Sequence, residues 1–560
     1  MNNIYKQFNW RNHYRRYQSK MLRHQLDALD YMTENNIATI CMPTGTGKSR
    51  IIYGDMMGCI QEEYNNIFVV VTHRLLLNAQ HITELFNTFK PALSNIGFIF
   101  IGSSQVDLDD FAEIECNIKL AEYELSYKDL ISSTINAQEL HEIIKTHKKN
   151  NRDIIIISTY NSLGLLKNVD NIHTIYFDEA QYLASPQNTQ FRTNFNSLKL
   201  NRRFFFTATP KDSIENIDNK DDTFLMNNKK IFGERIGLTF KDAVGSGYIV
   251  NPYLHIVYPE NYKSTKKYLS PENYTKVIID SFKRHSEQIK NTSCDSTKLA
   301  PKILIKCSSV NDMWNINEVL INNEYVKENN IHIFAGASRS DNNHNCSYLY
   351  NTKEIKSKTT FLKHLKELND IDQAIILHYD ILSEGIDVSG ITGVMFLSKT
   401  LPTKSKIIQT VGRATRLHTL DRSNIENKLL AITDKHKFIK PNCAVIIPIL
   451  DEDMEDSANG ITKLIKTMRD EYNFNPAEMI ISGSDIATGK SKNELEHLNN
   501  IDTRRRVSRI DKIKHELEIL DGIDNEMTIN TIINELHDKK ENNYNEWINN
   551  ISKLLLNIED

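Results

Sequence analysis

The sequence predicts an α/β protein of two tandem parallel-sheet lobes followed by a helical C-terminal extension, and three observations carry that prediction. Short apolar runs alternate with helical stretches between Ile37 and Pro210, the arrangement of a parallel sheet covered on both faces. A second alternation begins near Tyr253 and closes near Pro448, after a polar stretch from Lys211 to Lys230. Beyond Asp451 the strand signal fades and charged helical patterns run to Asp560. The boundaries expected are 1–35 for an N-terminal basic and aromatic segment, 36–235 and 236–450 for the lobes, and 451–560 for the extension.

Taken in order, the first 25 residues hold Lys6, Arg11, Arg15, Arg16, Lys20 and Arg23 without an acidic residue, interleaved with Trp10, Tyr14 and Tyr17. Cations with aromatics suit phosphate contact and base stacking. The same composition also describes a solvated surface helix. Ile37 to Cys41 reads as a buried strand, and Arg50 to Gln61 has helical spacing. Strand-type runs follow at Ile67–Val71, around Ile99, at Asp153–Ile157, Ile172–Phe177 and Arg203–Phe206, with a helical stretch ending at Phe89. Asp107 to Lys149 reads as polar, charged and mostly helical. In the second lobe the strands expected are Lys302–Lys306, Ala374–Leu377, Val394–Leu397 and Ala444–Ile447.

Composition narrows the function classes. At 560 residues the chain is too long for a single core. The 68 basic and 72 acidic side chains give a formal charge of −4, so a nucleic-acid partner is held by local patches, not by global charge. The seven cysteines form neither a C-x-x-C pair nor a Cys/His cluster at zinc spacing, which points to a reducing compartment without structural metal. No apolar run approaches the ~20 residues that span a bilayer, and the polar start lacks a signal-peptide core. A soluble, intracellular, cytoplasmic protein with no membrane partner is expected.

The chemistry begins at Met42-Pro43-Thr44-Gly45-Thr46-Gly47-Lys48-Ser49, between the first strand and the first long helix of the lobe. Gly45 and Gly47 free backbone N–H groups to cradle phosphate oxygens, with Thr44 and Thr46 in the same loop, and the helix N-terminus adds a favourable dipole. Lys48 reaches the outer phosphates and Ser49 ligates Mg²⁺, so ATP and Mg²⁺ are the cofactors expected. The amide of Gln25, just upstream, offers donor and acceptor to an adenine edge. Phosphoryl transfer further needs a metal carboxylate, a group that activates water, and positive charge. Asp178 and Glu179, at the end of an apolar strand, supply the first two. The run Gln409-Thr410-Val411-Gly412-Arg413-Ala414-Thr415-Arg416 supplies the charge from the other lobe. A nucleotide bound at Lys48 and met by Arg413 and Arg416 is complete only when the lobes close, which makes hydrolysis a gated step.

Gln25, the Met42–Ser49 loop, Asp178-Glu179-Ala180-Gln181, Thr207-Ala208-Thr209 and Gln409 to Arg416 occur in the order seen in superfamily 2 helicases and translocases. Leu382-Ser383-Glu384-Gly385-Ile386-Asp387 resembles motif V of that superfamily and Ile305-Lys306-Cys307-Ser308 its motif IV, so the resemblance covers roughly residues 20 to 450. Ile157–Leu163, the stretch from Phe232 to Val244 and Pro441 to Pro448 look like the helicase module of single-chain restriction enzymes and of stand-alone helicases from large DNA viruses and phages. That group is similar to type I and type III restriction motors. The resemblance implies two RecA-like lobes and makes Gln181, Thr207 and Thr209 the coupling between nucleotide and nucleic acid. It also implies that Gly385 and Asp387 sense nucleotide, and that Arg74, Thr159, Tyr160 and Ser308 grip the sugar-phosphate backbone. Met42 in place of Ala or Gly, and Gln181 in the Asp-Glu-Ala-Gln box, depart from the common pattern without removing a charged catalytic group.

The expected function is an ATP-dependent helicase or translocase on nucleic acid, with DNA favoured and RNA the alternative. A transcription-release motor and a nucleotide-gated clamp that does not move are the other readings. The intact Glu179 opposes an ATP-binding scaffold, and a P-loop kinase has no use for the second lobe. Thr503-Arg504-Arg505-Arg506 marks a possible patch for nucleic acid or protein partners in the extension, beside the bland reading as a solvated helix face. A viral source would place the protein in the host cytoplasm or virion.

Overall fold

Runs such as Ile67-Phe68-Val69-Val70-Val71 and Ile154-Ile155-Ile156-Ile157 have no polar face, so they are stable only where both faces of a sheet are covered. In the computed structural model they are interior strands in which every residue is buried. Residues 8–60, 65–73, 75–101, 131–185, 188–212, 224–259, 270–292, 299–337, 347–379, 390–397, 404–448 and 480–484 are described. The chain divides into two compact units, Met1–Thr239 with Asn424–Leu429, and Phe240–Ser423 with Leu430–Asp560.

The first unit contains α1 (Trp10–Gln18), α2 (Arg23–Glu34), β1 (Ile37–Cys41), α3 (Lys48–Ile60), β2 (Ile67–Thr72), α4 (Leu75–Phe89), β3 (Ile96–Ile101) and β4 (Ile131–Thr134). It continues through α5 (Ala137–Lys149), β5 (Asp153–Thr159), β6 (Ile172–Asp178), α6 (Thr189–Asn196), β7 (Arg203–Thr207) and β8 (Glu234–Gly237). The strands lie in the order β4-β3-β5-β2-β6-β7-β1-β8, and every pairing is parallel. Register sets Cys41 opposite Thr207 and Asp178 opposite Phe206. The carboxyl ends of β1, β7 and β6 are therefore neighbours, the edge at which open α/β sheets hold ligands.

The N-terminal aromatics do not form a stacking platform. Trp10 is buried edge-on against Phe89, and the Tyr17 hydroxyl donates to the Arg50 carbonyl at 3.0 Å. Tyr14 lies against Gly58, where an added Cβ would meet its hydroxyl at 3.3 Å. The aromatic face of α1 thus docks on the helices behind the loop, while Arg11, Arg15, Arg16, Lys20 and Arg23 stay exposed. Helix formation with one apolar face and one charged face explains both facts.

The second unit contains β9 (Asn251–Pro259), α7 (Pro271–Thr292), β10 (Lys302–Cys307), α8 (Val310–Asn322), β11 (His332–Ala337), β12 (Tyr348–Tyr350) and β13 (Lys353–Ile355). α9 (Lys358–Lys366), β14 (Ala374–Tyr379), β15 (Gly393–Leu397), α10 (Lys404–Ala414), β16 (Asn442–Pro448) and β17 (Ile480–Ser484) complete it. The order is β13-β12-β11-β14-β10-β15-β16-β9-β17, and among the described residues the antiparallel pairings are β11–β12 and β12–β13. Phe282 of α7 and Trp314 of α8 pack on Ile303, Ile305, Ile375 and Met395 in its core.

Two parallel-sheet lobes are as the sequence predicts. Four details differ. Ile131–Thr134, read as part of a helical stretch, is a strand; it is short, polar and at the sheet edge, so it carries little apolar signal. β8 is likewise an exposed edge strand, admitted beside β1 because Gly237, at φ +144°, has no Cβ to meet the Cys41 carbonyl 2.0 Å away. β11 and its hairpin were not expected. In the region read as a helical extension, the described stretch Ile480–Ser484 is a strand paired with β9. The remainder of that extension, including Thr503–Arg506, lies outside the described residues, as do residues 107–130. Among the described residues no helix is long and apolar enough to cross a membrane.

Candidate active site

The glycine loop leaves β1 and turns into α3 with both its glycines at positive φ, Gly45 at 90° and Gly47 at 86°. Pro43 anchors the turn, since its carbonyl accepts from the Thr46 hydroxyl at 2.8 Å. The loop is tied to the sheet by Met42 N–H donating to the Thr207 carbonyl at 3.0 Å. Met42 itself is buried, so the departure from Ala or Gly places an apolar side chain in the core and leaves the loop backbone as it is. Lys48 Nζ donates to the carbonyls of Met42 at 3.1 Å and Pro43 at 3.4 Å, which holds the ammonium against the start of the loop.

Gln25 is buried and reaches the loop directly. Its Nε2 donates to the Thr46 carbonyl at 2.8 Å, and its Oε1 accepts from Leu22 N–H at 3.0 Å. The preceding residue, His24, brings Nε2 to the same carbonyl at 2.9 Å. Burial lowers the His24 pKa against the pull of that carbonyl. Two side chains of α2 thus converge on one carbonyl of the phosphate loop. Sequence reading picked out Gln25 and missed His24, although adjacency was a usable signal.

The fit is tight at Gly47. A Cβ there would lie 2.4 Å from Gln25 Nε2, in a backbone region that costs an L-residue about 1–2 kcal/mol by itself. Gly47→Ala is expected to weaken nucleotide binding at least about tenfold, the equivalent of ~1.4 kcal/mol. Equilibrium titration with a fluorescent ATP analogue measures it, and unchanged affinity would show that the loop tolerates the Cβ.

Asp178 ends β6. Burial raises its pKa, but the His81 hydrogen bond and charge, the Lys48 charge and the Glu179 N–H outweigh burial and hold the carboxyl below its usual range. An ionised Asp178 and the Ser49 hydroxyl are hard oxygen donors, which fits Mg²⁺, an ion that takes its other ligands from phosphate and water. Bound there, the ion would neutralise charge on the phosphates.

Glu179 follows in the left-handed conformation, φ 51° and ψ 50°, as the cap of a short 3-10 turn, Ala180–Tyr182. A non-glycine residue there is strained and is held by its neighbours. The neighbours are visible: Gln181 Nε2 donates to Glu179 Oε2 at 2.7 Å, Thr207 Oγ1 donates to Gln181 Oε1 at 2.6 Å, and Thr209 N–H donates to Thr207 Oγ1 at 3.0 Å. The glutamine of the Asp-Glu-Ala-Gln box uses both ends of its amide in this chain, which an aspartate could not do.

Of the residues expected to grip the sugar-phosphate backbone, Thr159 and Tyr160 are buried. Tyr160 is wholly buried, stacked on Phe177 and Phe191, and its hydroxyl donates to the Asp178 carbonyl at 3.1 Å. It therefore supports the strand that carries Asp178 and does not face a backbone ligand. Thr159 is also buried, with its hydroxyl on Ser162 at 3.2 Å. Ser308 is half-buried and donates to Asp312 at 2.6 Å. Arg74, Gly385 and Asp387 lie outside the described residues.

In the second unit Gln409 and Arg413 share a face of α10, and Arg416 follows its end. The end of α10 is fixed from elsewhere: buried Lys440 donates from Nζ to the Ala414 carbonyl at 2.8 Å and the Ile391 carbonyl at 3.1 Å. Val250 N–H donates to the Thr415 carbonyl at 2.8 Å. His378 of β14 is completely buried, and neither ring nitrogen has a hydrogen-bond partner among the described residues. Burial, with the charges of Lys306 and Arg413, pushes its pKa down to about 3 and keeps it neutral.

Comparison with known proteins follows the same division. Residues 11–212 match the family model described as the type III restriction enzyme, res subunit. Residues 295–418 match the helicase conserved C-terminal domain. Among solved structures, the type ISP restriction-modification enzyme LlaBIII bound to DNA aligns with a TM-score of 0.56 at 15% identity, over 93% of this chain and 35% of that one. A nuclease-deletion mutant of the type ISP enzyme LlaGI with a DNA substrate mimic aligns at 0.49 and 16% identity, over 93% and 34%. Mss116p bound to ssRNA and AMP-PNP aligns at 0.47 and 11% identity, over 96% and 90%. The chain thus spans about a third of the length of the two restriction enzymes. A search of curated proteins gave no match. With the phosphate loop and carboxylates in the first matched domain and the paired arginines in the second, the chain belongs to superfamily 2 of the ATP-hydrolysing helicases and translocases, in the group related to type I and type III restriction motors.

Proposed function

We propose that this chain is a DNA motor that couples Mg-ATP hydrolysis to strand separation or to translocation along duplex DNA. The observation that carries the reading is the hydrogen-bonded chain Glu179–Gln181–Thr207–Thr209. It joins the proposed water-activating carboxylate to the end of a neighbouring strand, so a change at the nucleotide has a physical route to other parts of the unit. A simple ATPase has no need of such a route.

In this reading the loop from Thr44 to Gly47 cradles phosphate, Lys48 meets its outer oxygens, and Ser49 with Asp178 holds Mg²⁺. Gln25 reads adenine with the amide hydrogen and lone pair that its two internal bonds leave over. Glu179 activates the attacking water, and Arg413 and Arg416 supply positive charge to the transition state, with Gln409 on the same helix face as Arg413. DNA is favoured because the first matched family model describes a restriction-enzyme subunit.

ATPase stimulation by double-stranded DNA, single-stranded DNA and RNA tests the substrate, alongside unwinding and triplex-displacement assays. Stimulation by duplex DNA is expected. Triplex displacement without unwinding identifies a duplex translocase. Stimulation by RNA alone would replace the reading with an RNA helicase or transcription-release motor, and nucleotide-dependent clamping without turnover would remove the motor altogether.

A further inference from the structure

One buried histidine has entered so far only through its effect on the Asp178 carboxyl. His81, on α4, is 5% exposed and brings Nε2 to within 3.3 Å of Asp178 Oδ2. Its other nitrogen, Nδ1, lies 2.7 Å from the hydroxyl of Tyr53, which is 1% exposed. That hydroxyl is also 3.2 Å from Oε2 of Glu84, one turn beyond His81 on α4. The Tyr53 and His81 rings meet edge to face, at 5.9 Å and 89°.

An ionised carboxylate only accepts hydrogen bonds, so the hydrogen between His81 and Asp178 sits on Nε2. The contact of Nδ1 with the Tyr53 hydroxyl, which itself donates to Glu84 Oε2, fixes the ring's orientation. Tyr53 belongs to α3, the helix that begins at Lys48, whereas Asp178 belongs to the end of β6. The series Tyr53–His81–Asp178 therefore joins the helix of the phosphate loop to the carboxylate across the sheet edge.

We propose that His81 is a positioning residue for magnesium: by occupying Oδ2 it fixes the rotation of the Asp178 carboxylate and leaves Oδ1 for the metal. The inference rests on the assignment of Asp178 as the Mg²⁺ carboxylate. Groups that orient a metal ligand from behind commonly change metal affinity when removed, without touching the metal themselves. A histidine retained only for packing would give its volume to any ring of similar size.

Mn²⁺ titrated into the full chain with a non-hydrolysable ATP analogue, with free Mn²⁺ read by electron paramagnetic resonance, separates these roles. His81→Phe keeps a ring and removes the donor; His81→Leu removes the donor with a smaller side chain in case the phenyl ring does not fit. Each is expected to weaken Mn²⁺ binding about 10–100-fold, while His81→Gln, whose amide nitrogen donates from a similar reach, stays within about threefold of the parent. Nucleotide affinity without divalent ion is expected to be the same in all, which confirms folded loops. Parental Mn²⁺ affinity in a donorless variant, or equal loss in His81→Gln, would overturn the proposal. If the parent chain binds Mn²⁺ and nucleotide but shows no turnover with any nucleic acid, the motor reading fails, and the metal affinities still decide the role of His81.

Discussion

Glu179→Gln is expected to lower ATP turnover about 10²–10⁴-fold, the usual worth of a positioned general base, while nucleotide affinity stays close to that of the parent chain. The substitution exchanges one carboxylate oxygen for an amide and keeps shape and length. The amide oxygen of the variant still accepts the bond from Gln181 Nε2, so the links through Gln181, Thr207 and Thr209 persist. The strained backbone at φ 51° is also untouched. What disappears is the group that takes a proton from water. Steady-state hydrolysis with saturating nucleic acid, beside equilibrium nucleotide titration, gives the two numbers required. Turnover within a few-fold of the parent would remove Glu179 from the chemistry and require another base.

The largest loss of stability is expected from Asp55→Ala. Asp55 lies on α3 with its side chain 3% exposed, and Arg202, just ahead of β7, is 13% exposed. The guanidinium meets both carboxylate oxygens at 2.6 Å, and the Tyr176 hydroxyl donates to the same carboxylate at 2.6 Å. Arg202 also donates to the Met32 carbonyl at 2.8 Å and to Thr174 at 2.9 Å, and it lies over the Phe204 ring. Four elements, α2, α3, β6 and β7, are joined at this point. Removing the carboxylate leaves a buried guanidinium uncompensated, at a cost of about 3–5 kcal/mol, a large fraction of the 5–15 kcal/mol typical of a folded domain. Asp55→Leu combined with Arg202→Met removes both charges and is expected to recover part of the loss. Urea unfolding of the full chain, with hydrogen exchange at β6 and β7 amides to locate the transition, measures both. An Asp55→Ala midpoint equal to the parent's would mean that the pair contributes nothing net.

What the sequence made legible follows from which interactions are local. Central strands such as Ile154–Ile157 are legible because burial on both faces selects continuous β-branched residues, whatever surrounds them. Edge strands β4 and β8 are not, since one side of each meets solvent and Ile131-Ser132-Ser133-Thr134 carries no such selection. Lys48, Asp178 and Glu179 stand out because a phosphate loop and a strand-end carboxylate pair each occupy consecutive positions. Tyr160 misled for the complementary reason: it adjoins a motif in sequence, but its direction is set by Phe177 and Phe191 and by a carbonyl 18 residues away. His81 left no trace at all. Its partners, Tyr53 and Asp178, lie 28 and 97 residues distant, and nothing in the residues flanking it differs from an ordinary amphipathic helix.

The lysine at the end of α10 bears on how far the arginine motif is portable. Lys440 stands 26 residues after Ala414 in sequence yet holds its carbonyl, so the pose of Arg413 is written partly in the residues that precede β16. A chimera that inherits Gln409 to Arg416 but takes its following segment from another protein would carry the right side chains on a differently terminated helix. The unit of inheritance for this motif is therefore longer than its signature, extending at least to Lys440.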